Sequence, residues 1–343
     1  MTNFYNYFNP YYDNTFFEFL WNFLIRLSLF LSGNLSLNEL ASDEVQMLVL
    51  IGVAASSALV GAFLIFRNMT MLANSISHTI LVGIVIAFVL THEFFGGDFH
   101  QGQESINMEI MLIASLLMGI LTSILTEFFV KTVKLQEDAS TGLVFTTLFA
   151  LGIILVTVLT RNAHIGAEVV MGNVDALRLD DFKLVALILV INSILFTIFY
   201  KEFAITTFDP ALAKALGYST TFFNYLLMIQ ISATVVGAFR AVGVLMVLAF
   251  ITGLPLTARI LTNSLHKMLF TSVALGFFCS IVGVALSRHI LTVYGIALST
   301  AGVVVCTIVV TYIAALIFAP NKGLYWTWKH KKSLRQENNF SSQ

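Results

Sequence analysis

Charge is what this sequence lacks. Only 11% of its 343 residues are Asp, Glu, Lys or Arg, against about 25% in an ordinary soluble domain, and that shortage excludes a water-soluble globular fold. Cysteine is scarce as well. Cys279 and Cys306 sit singly in apolar stretches, with no CxxC pair and no His at ligand spacing, so neither a disulfide nor a redox pair is expected. The chain contains no GxxxxGK[ST] phosphate loop and has no room for a nucleotide-binding domain, and neither HExxH nor a Ser-His-Asp arrangement occurs. It is therefore not expected to be an enzyme, and any ATP hydrolysis behind its action belongs to another chain. A formal net charge of -1 gives no pointer to nucleic acid. The first twenty-five residues carry no Lys or Arg ahead of an apolar core, and Arg26 interrupts the run that follows, so no cleaved signal peptide is expected.

What is abundant is hydrocarbon. The chain is 58% hydrophobic with a mean hydropathy of +0.88, and its apolar runs recur along the whole length. A helix crossing a bilayer needs about 20 mainly apolar residues. Candidates lie at 45–66, 70–92, 108–130, 141–160, 182–201, 222–239, 241–257, 268–287 and 290–318, with an aromatic-rich segment at 14–33 that either crosses or lies in the interface, since it carries Glu18 and Arg26. The expected fold is all-α: a polytopic transmembrane helical bundle of about 8–10 spans. An N-terminal segment (1–44), a transmembrane domain (45–320) and a basic tail (321–343) divide it. With the C-terminus inside, Arg67, Lys131, Lys134, Lys201, Lys214, Arg259, Lys267 and the tail cluster from Lys322 to Arg335 all fall on the cytoplasmic side. The opposite side keeps Arg161, Arg178 and Arg288 among several carboxylates, as the positive-inside rule requires. Gly52, Ser56 and Gly61, then Gly237, Ala241 and Gly243, then Gly276, Ser280 and Gly283, are spaced to let helix backbones approach closely.

One run looks out of place. Residues 71–88, MLANSISHTILVGIVIAF, put Asn74, Ser75, Ser77 and His78 into a span built for lipid, where polar groups need partners. Asn74 and His78 are i and i+4 and share a helical face. Imidazole nitrogen and amide oxygen together suit borderline divalent ions such as Mn2+, Fe2+ or Zn2+, carried as transported substrate and not as a resident cofactor. The other reading has His78 hydrogen-bonded to a neighbouring helix.

Four blocks, in order, resemble one family. NSISHTILVGIVIAF (74–88), EDASTGLVFTTLFALGIIL (137–155), FDPALAKALGYST (208–220) and AVGVLMVLAFITGLPLTARILT (241–262) are similar to segments of the permeases of manganese, zinc and iron ABC importers, the ABC-3 type. The two-permease versions of spirochaetes and chlamydiae share the long loop at 93–107 and the ASDE lead-in at 41–44. The resemblance implies a type II importer-like permease in a bacterial cytoplasmic membrane. It implies as partners a cytoplasmic ATP-binding subunit, a second permease in a homo- or heterodimer, and an extracytoplasmic metal-binding protein. It makes 208–220 the helix that couples to the ATPase, through Phe208, Asp209, Pro210, Ala213 and Gly217. Where the family usually has Asp and Pro, this chain has Asn74 and Val82; Asn74 supplies a neutral oxygen and no charge, so the site would attract a dication less strongly unless the partner permease brings the carboxylate.

His164 and Glu168, again i and i+4 at the outer end of a span, are a candidate entrance site for metal. Glu127 is expected to pair with Lys131 at i+4. Asp98 and His100 belong to a Gly-bearing loop, and His92, His266 and His289 fall at membrane edges. In 202–220, Asp209 and Pro210 fit a helix start and Gly217 its stop. Pro255 either kinks or ends its helix. A proton-coupled secondary metal transporter is the alternative function, and its mark would be mid-span carboxylates, which are nearly absent.

Overall fold

Helices built from such runs must satisfy every backbone polar group internally and must pack through small residues, because lipid offers neither hydrogen bonds nor a hydrophobic drive toward contact. The computed structural model of the chain describes residues 10–11, 14–36, 39–95, 108–160, 174–319 and 323. In chain order the helices are α1 (Phe16–Leu31), α2 (Ser42–Phe66), α3 (Thr70–Phe95), α4 (Met108–Thr132), α5 (Glu137–Leu155), α6 (Leu179–Ile198), α7 (Tyr200–Phe208), α8 (Pro210–Ala215), α9 (Thr220–Val242), α10 (Val244–Leu248), α11 (Leu254–Leu261), α12 (Leu265–Tyr294) and α13 (Thr300–Phe318). A π-helical turn, Val156–Thr160, extends α5, and a second, Ala249–Gly253, joins α10 to α11. Among the described residues nine segments are long and apolar enough to cross a membrane. The bundle is all-helical and polytopic.

α2 is the axle. It is buried on nearly all sides and packs against α12, α6, α9 and the π turn Ala249–Gly253, whereas α5, α6 and α13 turn most of their apolar surface outward. Ser56 of α2 meets Thr234 of α9, and eleven residues on, Arg67 meets Asn224 of α9. The two helices are therefore antiparallel. Small residues make this closeness possible: a Cβ at Gly61 would stand 1.9 Å from the carbonyl oxygen of Ile251. That oxygen is the one Pro255, with no N–H, cannot bond from four residues ahead. The helix does not end at Pro255 but runs on to Leu261, with the π turn immediately before it.

The expected spans differ from the observed ones in two places. The run 290–318 is apolar throughout, yet α12 continues to Tyr294 and α13 begins only at Thr300, because Gly295 at φ +66° caps α12 in the left-handed region. The segment 14–33 contains α1, whose sixteen residues do not span. Phe16 N–H donates to His289 Nδ1 at 3.3 Å, and Arg26 pairs with Glu44. Arg288 pairs with Asp43, so His289 and Glu44 lie at one level. Ten residues of helix cover about 15 Å, and both ends of that stretch touch the same end of the bundle. α1 therefore lies across the outer end, the end that the Lys and Arg asymmetry assigns to the outside. Both cysteines are free, Cys279 buried and Cys306 exposed.

Candidate functional site

α3 carries the polar patch of 74–78 on a helix that packs against α4 and α5. Two hydroxyls look after themselves and one does not: Ser77 Oγ donates to the Ala73 carbonyl at 2.8 Å, Thr79 Oγ1 lies 3.2 Å from the Ile76 carbonyl and 2.8 Å from Thr122 Oγ1 of α4, and the buried Ser75 Oγ has no partner among the described residues. Back-bonding of this kind is how Ser and Thr live in apolar helices. Asn74 and His78 are different. Both are half-buried, and neither side chain has a hydrogen-bond partner among the described residues. The His78 ring sits against Phe145 and Phe149 of α5, with centroids 5.3 and 5.4 Å away. One face of α3 thus presents an amide and an imidazole beside an aromatic wall. No cluster of three or more His, Cys, Asp or Glu suited to a metal occurs among the described residues. A divalent transition metal takes at least four donors, so the two on α3 would not hold one by themselves. His164 and Glu168 lie outside the described residues.

At the inner end the chain leaves the bundle and returns through α7 and α8. Asp209 caps α8, its Oδ1 accepting the Leu212 N–H at 2.9 Å, and Pro210 takes the first helical position, where no N–H is needed. The stop is a Schellman motif: Tyr218 N–H donates to the Ala213 carbonyl at 2.9 Å and Gly217 N–H to that of Lys214 at 3.0 Å, with Gly217 at φ +85°. Ala213 is fully buried, while Phe208, Leu212 and Leu216 are about half exposed. A short, double-capped helix with Leu212 bare on it and Phe208 and Leu216 bare at its two ends, beyond the membrane-spanning segments, has the form of a knob.

Arg67, just past the end of α2, holds both stems of this knob. Its Nε donates to Thr207 Oγ1 at 3.0 Å, Nη2 to Thr206 Oγ1 at 3.1 Å, and Nη1 to Asn224 Oδ1 at 2.9 Å. Thr206 and Thr207 lead into α8, and Asn224 follows it on the first turns of α9. Burial pushes the guanidinium down to about 10, still above neutral pH, so the fork stays charged. Asn224 passes the connection on, donating to Glu127 Oε1 at 3.3 Å, and Glu127 pairs with Lys131.

The "ABC 3 transport family" model matches residues 44–319. The chain belongs to that family. As an ABC-3 family member it is 38% identical over 314 residues to the "Probable metal transport system membrane protein" of Chlamydia trachomatis, covering 92% of this chain and 95% of that one. It is 34% identical over 289 residues to the "Manganese transport system membrane protein MntD" of Bacillus subtilis, covering 80% and 91%. Among solved structures it resembles PsaBC from Streptococcus pneumoniae in complex with Fab, at 26% identity and a TM-score of 0.67, covering 86% of this chain and 97% of that one. This ABC-3 chain is accordingly a multi-pass membrane protein of a metal transport family, and the resemblance carried by the four sequence blocks holds.

Sequence reasoning on this ABC-3 chain missed three features. Arg67 stood only as an inner-side charge, since its partners are 139 to 157 residues away. Asn192 of α6, buried, donates to Ser56 Oγ at 2.8 Å and to Thr234 Oγ1 at 2.7 Å, knotting three helices at mid-span; a lone Asn in an apolar run was the available signal. At the outer end Asp175, in a 3-10 turn (Val174–Ala176), accepts from Gln46 at 3.0 Å and Thr300 at 2.5 Å beside a cavity of about 330 Å3.

Proposed function

We propose that this chain is the membrane-spanning permease subunit of an ATP-driven importer of a divalent transition metal, manganese, iron or zinc, in a bacterial cytoplasmic membrane. One observation carries the reading: a chain of the ABC 3 transport family, without a phosphate loop of its own, projects a rigid apolar knob, α8, from its inner end. Apolar side chains displayed on a capped helix need a cover, and a cleft in a cytoplasmic ATP-binding subunit is the cover this reading supplies. Movement of α8 would reach α2, α9 and α4 through the Arg67 fork, Asn224 and Glu127. α4 packs on α3, which carries Asn74 and His78 on the metal's path. A second permease would bring the missing donors, a carboxylate first among them, and an extracytoplasmic metal-binding protein would deliver the ion at the outer end.

The test is reconstitution of this chain with its partner permease, ATPase and binding protein in vesicles, followed by uptake of labelled Mn2+, Fe2+ and Zn2+. Uptake that requires ATP hydrolysis inside the assembled complex is the expected result. Uptake driven by a proton gradient without ATP would overturn it in favour of secondary transport.

A further inference from the structure

α1 is apolar on two faces, and only one of them meets protein. Phe19 and Phe23, at i and i+4, are buried with Tyr11 against the bundle core, and Phe16, Leu20 and Leu27 pack alongside. The opposite face, Phe17, Trp21, Leu24, Ile25 and Leu29, is bare: Phe17 is 80% exposed, Trp21 67% and Leu24 57%. Ser28 and Glu18 are the polar residues within that face and Asn22 borders it; Glu18 caps the helix start, its carboxylate accepting from the Thr15 N–H at 2.9 Å. Arg26 faces inward to Glu44, which also takes the Tyr11 hydroxyl at 2.8 Å. That shared carboxylate pins α1 and the segment before it to the start of α2.

The position of α1 says what covers the bare face. The helix runs across the outer end at the level of Asp43, Glu44 and Arg288, where α2 begins and the last turns of α12 lie. The outer end of α12 is itself bare and apolar, with Val293 and Tyr294 more than half exposed, so the two faces adjoin at the rim of the belt that meets lipid. An apolar, aromatic-bearing helix at that height, whose one outward charge is Glu18 in its first turn, fits the boundary between headgroups and acyl chains, where Trp and Phe partition best and a carboxylate stays hydrated. We propose that α1 is a bilayer-surface helix, seated by Glu44 on the protein and by Phe17, Trp21, Leu24, Ile25 and Leu29 in the outer leaflet.

The tryptophans make this testable. Trp21 is one of three, the others being Trp326 and Trp328. The full-length chain with Trp326→Phe and Trp328→Phe would be placed in phosphatidylcholine and phosphatidylglycerol vesicles, with lipids brominated either near the headgroup end of the acyl chain or near its middle. Quenching of Trp21 about twofold stronger by the shallow bromine, with blue-shifted emission, is expected of an interfacial ring. A second variant, Trp21→Phe with Leu24→Trp, should behave alike. Stronger quenching by the deep bromine would mean α1 crosses the bilayer. No lipid quenching, whether with red-shifted emission as in water or with shielding from iodide as under a protein cover, would equally overturn the proposal. None of these outcomes bears on whether ATP drives uptake.

Discussion

Three polar side chains from three helices meet where each alone would be a liability. Asn192 satisfies Ser56 and Thr234 at once, and all three are buried, so the knot fixes the rotation of α6 and α9 about α2 in a way that interchangeable aliphatic contacts cannot. Asn192→Leu removes both bonds and leaves two hydroxyls facing a methyl group. At about 0.6 kcal/mol for a typical hydrogen bond between membrane helices, with a ceiling near 1.7, the loss should be about 1–2 kcal/mol, read as a lowered unfolding midpoint in mixed micelles with insertion intact. Gly61→Ala is harsher. Its Cβ would collide with the Ile251 carbonyl, a backbone atom that cannot swing away, so α2 and the π turn must separate at a cost of about 3 kcal/mol or more. The folded yield after detergent extraction should fall sharply, while Gly142→Ala, where nothing lies within 4 Å, should extract like the parent.

Among elements, α8 and the Arg67 fork separate what a sequence displays from what it conceals. The cap of α8 was legible because every participant is local: Asp209, Pro210 and Gly217 sit within nine residues, and their chemistry is the chemistry of helix ends. The spans were legible for a similar reason, since each needs only a sufficient run of apolar residues. The break at Gly295 escaped because the bulk hydropathy of 290–318 does not change across it, and a single left-handed residue decides the matter. The fork escaped because neutral hydroxyl and amide acceptors on distant segments leave no charge pattern to read. Its consequence can be measured. Arg67→Gln loses charge-assisted bonds to both stems of α8, each worth about 1.5–3 kcal/mol. With α8 no longer held in one orientation, ATP-driven metal uptake should fall about tenfold while the ATPase subunit still co-purifies, and Arg67→Lys should recover only part because an ammonium lacks the planar fork. Uptake at the parental rate in Arg67→Gln would mean that α8 needs no such support.

For the whole molecule the decisive feature is incompleteness. α2 at the axle is sealed from lipid, and the core around it is continuous from Val45 to Ile308, so this bundle needs no partner to fold around. On the proposed function its surfaces at α8 and α3 do. α8 shows apolar side chains past the membrane, and α3 offers one imidazole and one amide oxygen where a dication demands at least four donors. Asn74 brings no charge, and the Phe145 and Phe149 wall beside His78 brings no donor. If a second permease supplies a carboxylate opposite this face, His78→Ala takes one ligand from a shared site, and metal uptake by the assembled complex should fall at least about tenfold, in line with the weakening that a damaged metal environment produces. Asn74→Asp should act in the other direction on binding: an added carboxylate strengthens attraction for the ion, lowering the metal concentration at half-maximal uptake, and slows release, lowering the maximal rate. Asn74→Asp keeps the shape of the half-buried face and His78→Ala opens only a half-buried gap beside Phe145 and Phe149, so assembly and basal ATP hydrolysis should stay at parental levels. Uptake unaltered in His78→Ala would make the 74–78 patch a feature of helix packing, and the metal's path would then be sought away from α3.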